Sequence, residues 1–257
     1  MFIAQIGTRG DTWQPVIQAM TCNATTVTYD RPGIGDSPPR PAPNPPLPYS
    51  VFADELAATL DEAGITEPVV LVGHSVGGLI AQVFADCWRD RTAGIVLVDT
   101  SLPRLDLWPP PEPSRDGDGR DATAFDVTAG EVEILGMDPP PVAAVVVTRT
   151  PGRWAVPLPH PAIDDLWTAH QRDLARRWRH APLFQATDAG HQVPREAPAL
   201  VAHAADGVVR CVRAGMNVYL PEVFERIPDG VDVRGRPRAE TESGLGLPNL
   251  SGPASLQ

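Results

Sequence analysis

Ser75 lies in Gly73-His74-Ser75-Val76-Gly77, a G-x-S-x-G pattern that directly follows the run Pro68-Val69-Val70-Leu71-Val72. That run reads as a buried strand, and the amphipathic stretch after the pattern reads as a helix, so Ser75 falls at a strand-to-helix corner. Glycines on either side have no Cβ to strike neighbouring backbone, and such a corner presents the hydroxyl outward at the positive end of a helix. The Val76 amide, unpaired at the helix start, would donate to an oxyanion forming beside Ser75. This suits a nucleophile that attacks a carbonyl. Glycine and serine are also common in ordinary strand-helix turns, so the flanking elements carry the reading more than the five letters do.

Serine is a weak nucleophile at neutral pH and needs a base. His191, in Asp188-Ala189-Gly190-His191, comes just past the strand candidate Pro182 to Thr187, which puts it at the same sheet edge as Ser75. His160, His170, His180 and His203 fall in helices or near their ends, and His74, next to the nucleophile, is expected to shape the corner.

The elements that must position these groups alternate. Phe2 to Ile6 and Thr25 to Tyr29 read as strands, with a loop and a helix near Thr12 to Met20 between them. Asp30 to Ser37 is turn-rich, and residues 38–48 hold too much proline for helix or ladder. Ser50 is placed to cap a helix from Val51 to about Ala63, closed by Gly64. After the corner, Val76, Ile80, Val83, Phe84 and Cys87 form one apolar face, and Ile95 to Val98 is a further buried strand ending in Asp99. Residues 101–141 read as a short lid insertion with a helix from Ala124 to Leu135, Asp126 near its start. Val142 to Thr148, a helix from Pro161 to about Trp178, Pro182 to Thr187 and a helix from Ala197 to Val212 complete the pattern. Strict alternation predicts an α/β fold, a mostly parallel central sheet with helices on both faces. Residues 1–214 form one domain, and the polar tail 215–257 is expected to be largely irregular or disordered.

With 257 residues, 42% hydrophobic, the chain can bury a substantial core, and a net charge of −11 argues against nucleic acid as a partner. Every basic side chain is an arginine, which excludes lysine Schiff-base chemistry. Cys22, Cys87 and Cys211 are odd in number, far apart and without metal-ligand spacing, so buried thiols are expected. The start of the chain has no basic, apolar leader, and no run of about 18 apolar residues occurs, so a cytoplasmic protein without a membrane partner is expected. No metal, nucleotide or flavin motif is present, and no cofactor is expected.

The chain resembles the serine-dependent α/β-hydrolase fold family, esterase-like. The resemblance rests on Thr28 to Ser37, the block Val69 to Gly78, Ala93 to Asp99, and Gly190-His191 followed by Glu196 and Pro198. It implies a nucleophile, acid, histidine order, with the acid between Ser75 and His191. In most of the family the acid follows the seventh strand, here Val142 to Thr148, but Arg149 to Trp154 contains no carboxylate. Asp99, one strand earlier, is the first choice, and Asp164 or Asp165 is the alternative. The family's His-Gly before its first helix is replaced by Ala4-Gln5, so the second oxyanion donor falls at the Ile6 amide. The first two strands of the family are lacking, which would leave Thr25 to Tyr29 at an open edge. An upstream extension, Asn217 to Leu220 or a second subunit, giving a homo-oligomer, would cover it.

The resemblance implies a small-molecule acyl substrate and hydrolysis of a carboxylic ester through an acyl-enzyme. Leu105, Leu107 and Trp108 of the lid suit either an apolar acyl or alcohol pocket or simply the packing of the lid itself. The same three residue types also serve perhydrolysis, acyl transfer and carbon-carbon bond hydrolysis. A non-catalytic ligand-binding member of the fold is the alternative from another class.

Overall fold

A computed structural model describes residues 1–41, 45–103, 125–154, 162–217 and 227–233. Among these the elements run β1 (Phe2–Ile3), α1 (Gln14–Ala19), α2 (Tyr49–Glu62), β2 (Val69–His74), α3 (Val76–Cys87) and β3 (Thr92–Val98). They continue with α4 (Val127–Gly136), β4 (Ala143–Thr148), α5 (Ala162–Arg177), β5 (Leu183–Ala186), α6 (Val193–Glu196), α7 (Pro198–Arg213) and β6 (Gly230–Asp232).

The six strands lie in the order β1-β2-β3-β4-β5-β6, parallel throughout except for β6, which runs antiparallel to β5. The fold class expected from the alternation is therefore the one formed. Successive side chains along each strand point to opposite faces. Leu71, Ile95, Leu97 and Val146 enter one apolar layer with α2 and α3, while Val72, Val96, Val98 and Val147 enter the other with Leu200, Val201 and Val208 of α7. β-branched and leucine runs buried on both faces are what a doubly covered parallel sheet requires.

Phe2 bridges both Val72 of β2 and Thr28, so the chain leaves β1, adds its next extended segment on the outer side, and returns on the inner side as β2. The strand order reverses between β1 and β2. In open α/β sheets the ligand crevice lies at such a switch point, beyond the carboxyl ends of the strands. Ile6 follows β1 and Ser75 follows β2, so both emerge there.

Several expectations change. The strand expected over Thr25 to Tyr29 reduces to the Thr28 bridge and a 2.8 Å bond from the Phe2 amide to Val27 O. Ser50 is not the cap of α2: the helix begins at Tyr49 after Pro48, and the Ser50 amide donates to Glu133. Gly64 does close that helix, at φ 69°, with the Ile65 amide reaching Leu60 O at 2.8 Å. Instead of one apolar face, α3 is buried all round from Val76 to Ala85, because the sheet lies on one side and α2 on the other. Asp126 caps α4, accepting from the Ala129 amide at 2.9 Å, and Phe125 stacks on Phe52, so this end of the insertion is fastened to α2. Of the three thiols only Cys211 is buried, Cys22 being intermediate and Cys87 exposed at the end of α3. The tail supplies β6, whose pairing with β5 gives residues 230–232 a ladder that their polar sequence does not announce. Leu105, Leu107, Trp108, His160 and Val218 to Leu220 lie outside the described residues. No described helix is long and apolar enough to cross a membrane.

Candidate active site

The corner after β2 is tight. A Cβ on Gly73 would stand 2.4 Å from Gly77 O, and one on Gly77 would stand 2.3 Å from Ile3 O, so only glycine lets β2, α3 and the exit of β1 meet. Between them Ser75 takes φ 56° and ψ −122°, a conformation that costs about 1–3 kcal/mol and is maintained by the packed surroundings. Its amide is held by Val98 O at 3.0 Å and its carbonyl accepts from Gly78 and Ser101. Val76 is the first residue of α3, where no helix carbonyl can reach its N–H.

Ser75, His191 and Asp99, far apart in sequence, come together in one hydrogen-bonded chain. His191 Nε2 lies 3.0 Å from Ser75 Oγ, and His191 Nδ1 lies 2.7 Å from Asp99 Oδ2. Ser75 and Asp99 are buried, and the His191 side chain is 20% exposed. Asp99 follows β3 with φ 42°, a second strained turn at the same sheet edge.

Asp99 is fully buried yet ionised. Burial alone would raise its pKa, but the hydrogen bond and charge of His191, the charge of Arg149 and the Trp167 indole outweigh that and hold it at about 2. Its Oδ1 accepts from Thr148 Oγ1 at 3.0 Å, the Arg149 amide at 3.2 Å and Trp167 Nε1 at 2.9 Å. An ionised carboxylate only accepts, so His191 Nδ1 carries the proton and Nε2 presents its lone pair to Ser75.

Neither Asp164 nor Asp165 takes the place of Asp99 in this chain. Asp164 instead accepts from Arg149 Nη2 at 2.7 Å, Trp154 Nε1 at 2.8 Å and the Gly152 amide at 2.9 Å. At the end of β4, where the resemblance would put an acid, stands the buried Arg149. Its guanidinium lies 3.5 Å from Asp99 Oδ1 and stacks 3.5 Å above the Trp154 ring. The sign of the charge at that strand end is thus reversed, and Asp99 carries the complementary one.

Gln5 keeps a negative φ, and the positive φ of its loop falls on Gly7 at 64°. The side chains of Gln5 and Gln192 pair amide to amide at 3.0 and 3.3 Å, joining the loop after β1 to the residue after His191. Buried Arg31 donates from Nη1 to Ala4 O at 2.7 Å and from Nη2 to Gln5 O at 2.6 Å. In a trans peptide C=O and N–H point oppositely, so this clamp turns the Ile6 N–H away from Arg31. His74 Nε2 lies 2.8 Å from His191 O.

The roles of Arg31, Ser101, Arg149 and Trp167 are absent from the sequence reading. Arg31 stands inside a motif that carries the resemblance, so its position gave a signal. The others are brought in by strand register and by α5, and single letters do not reveal that. Among the described residues no three His, Cys, Asp or Glu side chains group so as to hold a metal ion.

The alpha/beta hydrolase family pattern matches residues 6–205. Among curated proteins, the uncharacterized protein YqjL of Bacillus subtilis is 31% identical over 102 residues, 40% of this chain and 39% of that one. The pimeloyl-[acyl-carrier protein] methyl ester esterase of Aeromonas salmonicida is 27% identical over 192 residues, 72% of this chain and 63% of that one. The chain thus spans less than two thirds of either relative. Among solved structures, a thermophilic esterase from Thermogutta terrifontis superposes with a TM-score of 0.58 at 20% identity, covering 82% of this chain and 89% of that one. At that identity it speaks for the fold alone.

Proposed function

The chain belongs to the alpha/beta hydrolase family, and from that premise we propose that it hydrolyses carboxylic esters through an acyl-enzyme formed on Ser75. The observation that carries the reading is the chain Ser75 Oγ, His191 Nε2, His191 Nδ1, Asp99 Oδ2, with links of 3.0 and 2.7 Å.

Ser75 Oγ attacks the acyl carbon as its proton passes to His191 Nε2. A C–O bond forms, and the carbonyl π pair moves to oxygen, where the Val76 and Ile6 amides receive it. Asp99 stabilises the imidazolium without taking its proton. Collapse expels the alcohol, which takes the proton from His191. Water then attacks the acyl-enzyme by the same sequence and gives up its proton to His191. Ser75 departs as the acid forms and regains that proton. Ester hydrolysis is supported by the Aeromonas salmonicida esterase, which matches over 72% of this chain.

The test is a panel of p-nitrophenyl esters graded by acyl length. Turnover of at least the short members, reduced by roughly 10⁶-fold in kcat by Ser75→Ala, is expected. Folded protein that turns over none of them would contradict the reading.

A further inference from the structure

Ser101 Oγ stands 2.9 Å from Ser75 Oγ, and both residues are buried. The proposed chemistry requires only one hydroxyl here. A second one in contact with the atom that would form and break bonds calls for an account.

The direction of this hydrogen bond follows from counting protons. Ser75 has one hydroxyl proton, and the lone pair of His191 Nε2 at 3.0 Å takes it, because Nδ1 is already protonated against ionised Asp99. The Ser75 to Ser101 contact can then be made only with Ser101 as donor. Ser101 is also held in place. Its amide reaches Ser75 O at 3.3 Å, and the preceding carbonyl of Thr100 accepts from Gln171 Nε2 at 2.7 Å. The Asp99 amide is fixed to Val147 O at 2.7 Å. Strand β3 and helix α5 therefore aim this hydroxyl before any substrate arrives.

We infer that Ser101 is a further catalytic group, whose hydroxyl donates to Ser75 Oγ whenever that oxygen carries negative charge. The inference rests on the acyl-enzyme reading of Ser75. Charge builds on Oγ twice: as the proton leaves during attack, and again as Ser75 departs in deacylation. Between these events Oγ is an ester oxygen, a poor acceptor. A donor bound to an ionised oxygen is worth more than one bound to a neutral oxygen, so the Ser101 contact strengthens in both transition states and not in the states between them. Since the donor is oriented in advance and shielded from water, no reorganisation is needed when the charge appears.

A device that merely steered the Ser75 side chain would act differently. Once Oγ is covalently tied to the acyl group there is nothing left to steer, and only acylation would depend on Ser101. The two steps separate the possibilities.

Rapid-quench intact mass spectrometry with a p-nitrophenyl ester gives both rates for the wild type, for Ser101→Ala and for Ser101→Cys, a near-isosteric weak donor that keeps the site filled. Both variants are expected to melt as the wild type does and to lose about tenfold in acylation and in deacylation alike. Wild-type rates in a folded variant, or a loss confined to acylation, would overturn the inference while leaving the hydrolase reading intact. A wild-type protein that forms no acyl-enzyme and takes up no fluorophosphonate would instead remove the hydrolase reading, and the inference with it.

Discussion

His74 Nε2 lies 2.8 Å from the main-chain carbonyl of His191, so the residue before the proposed nucleophile holds the backbone of the proposed base. Burial, and next the neighbouring His191, push the His74 pKa down to about 3, against the opposing pull of the carbonyl it meets and of Asp99. Its ring is therefore neutral at working pH, and Nε2 is the donor.

His74→Ala is expected to reduce kcat/KM about tenfold by loosening the His191 loop. Since the ring does not titrate in this range, the ratio of variant to wild type should be constant from about pH 5 to about pH 9. A ratio that changes with pH would mean that His74 is itself exchanging protons.

His74 also sets an acid limb of stability. Below about pH 6.5 the unfolded chain binds a proton that the folded ring refuses, so unfolding free energy should fall as pH drops from about 6.5 towards 3. Asp99 acts in the same direction at lower pH: its contribution is complete above the unfolded value near 3.8 and is lost as pH falls through about 2. Urea melts at stepped pH should show a shallower decline between about pH 6 and pH 4 for His74→Gln than for the wild type. Equal slopes would contradict this assignment.

Asp99→Asn tests the choice of acid. Asparagine tolerates the positive φ at this position, but its amide would favour the wrong His191 tautomer, and a loss of about 10⁴-fold in kcat is expected. Asp164→Asn, which disturbs the contacts to Arg149, Trp154 and Gly152 but leaves the Asp99 to His191 link in place, should cost less than about tenfold. Reversal of that order in steady-state kinetics would return the role to Asp164.

Arg31→Lys should lower kcat about tenfold with little change in KM. A lysine cannot reproduce the paired contacts to Ala4 O and Gln5 O that orient the Ile6 peptide. An effect on KM alone would indicate a contact made equally in the ground state.

Gly77→Ala would place a Cβ 2.3 Å from the Ile3 carbonyl, and backbone, unlike a side-chain tip, cannot swing aside. Overpacking of about 1–3 kcal/mol should lower Tm by roughly 3–10 °C. Unchanged melting would show that the exit of β1 yields more easily than its packing suggests.

Much of this was legible in the chain because the buried parallel strands are written as β-branched runs and the corner as glycines around Ser75. The position of His191 after the last parallel strand was readable for the same reason. What escaped depends on partners distant in sequence. The choice of Asp99 rested on a resemblance, and its geometric support comes from Thr148, Arg149 and Trp167 converging on one oxygen. Ser101 was unremarkable at the start of a stretch dominated by proline, glycine and charge until register set it against Ser75. The Thr25 to Tyr29 run has strand composition, yet the two-residue strand β1 gives it too short an edge to pair along.

The central claim is that Ser75 is a nucleophile activated by His191. Treatment of folded protein with a fluorophosphonate, followed by intact-mass and peptide analysis, tests it most directly. One adduct per chain is predicted, on the peptide containing Ser75, absent in Ser75→Ala and formed at least a hundred-fold more slowly (roughly) in His191→Ala. A well-folded wild-type protein that remains unlabelled, or carries its label elsewhere, would contradict it.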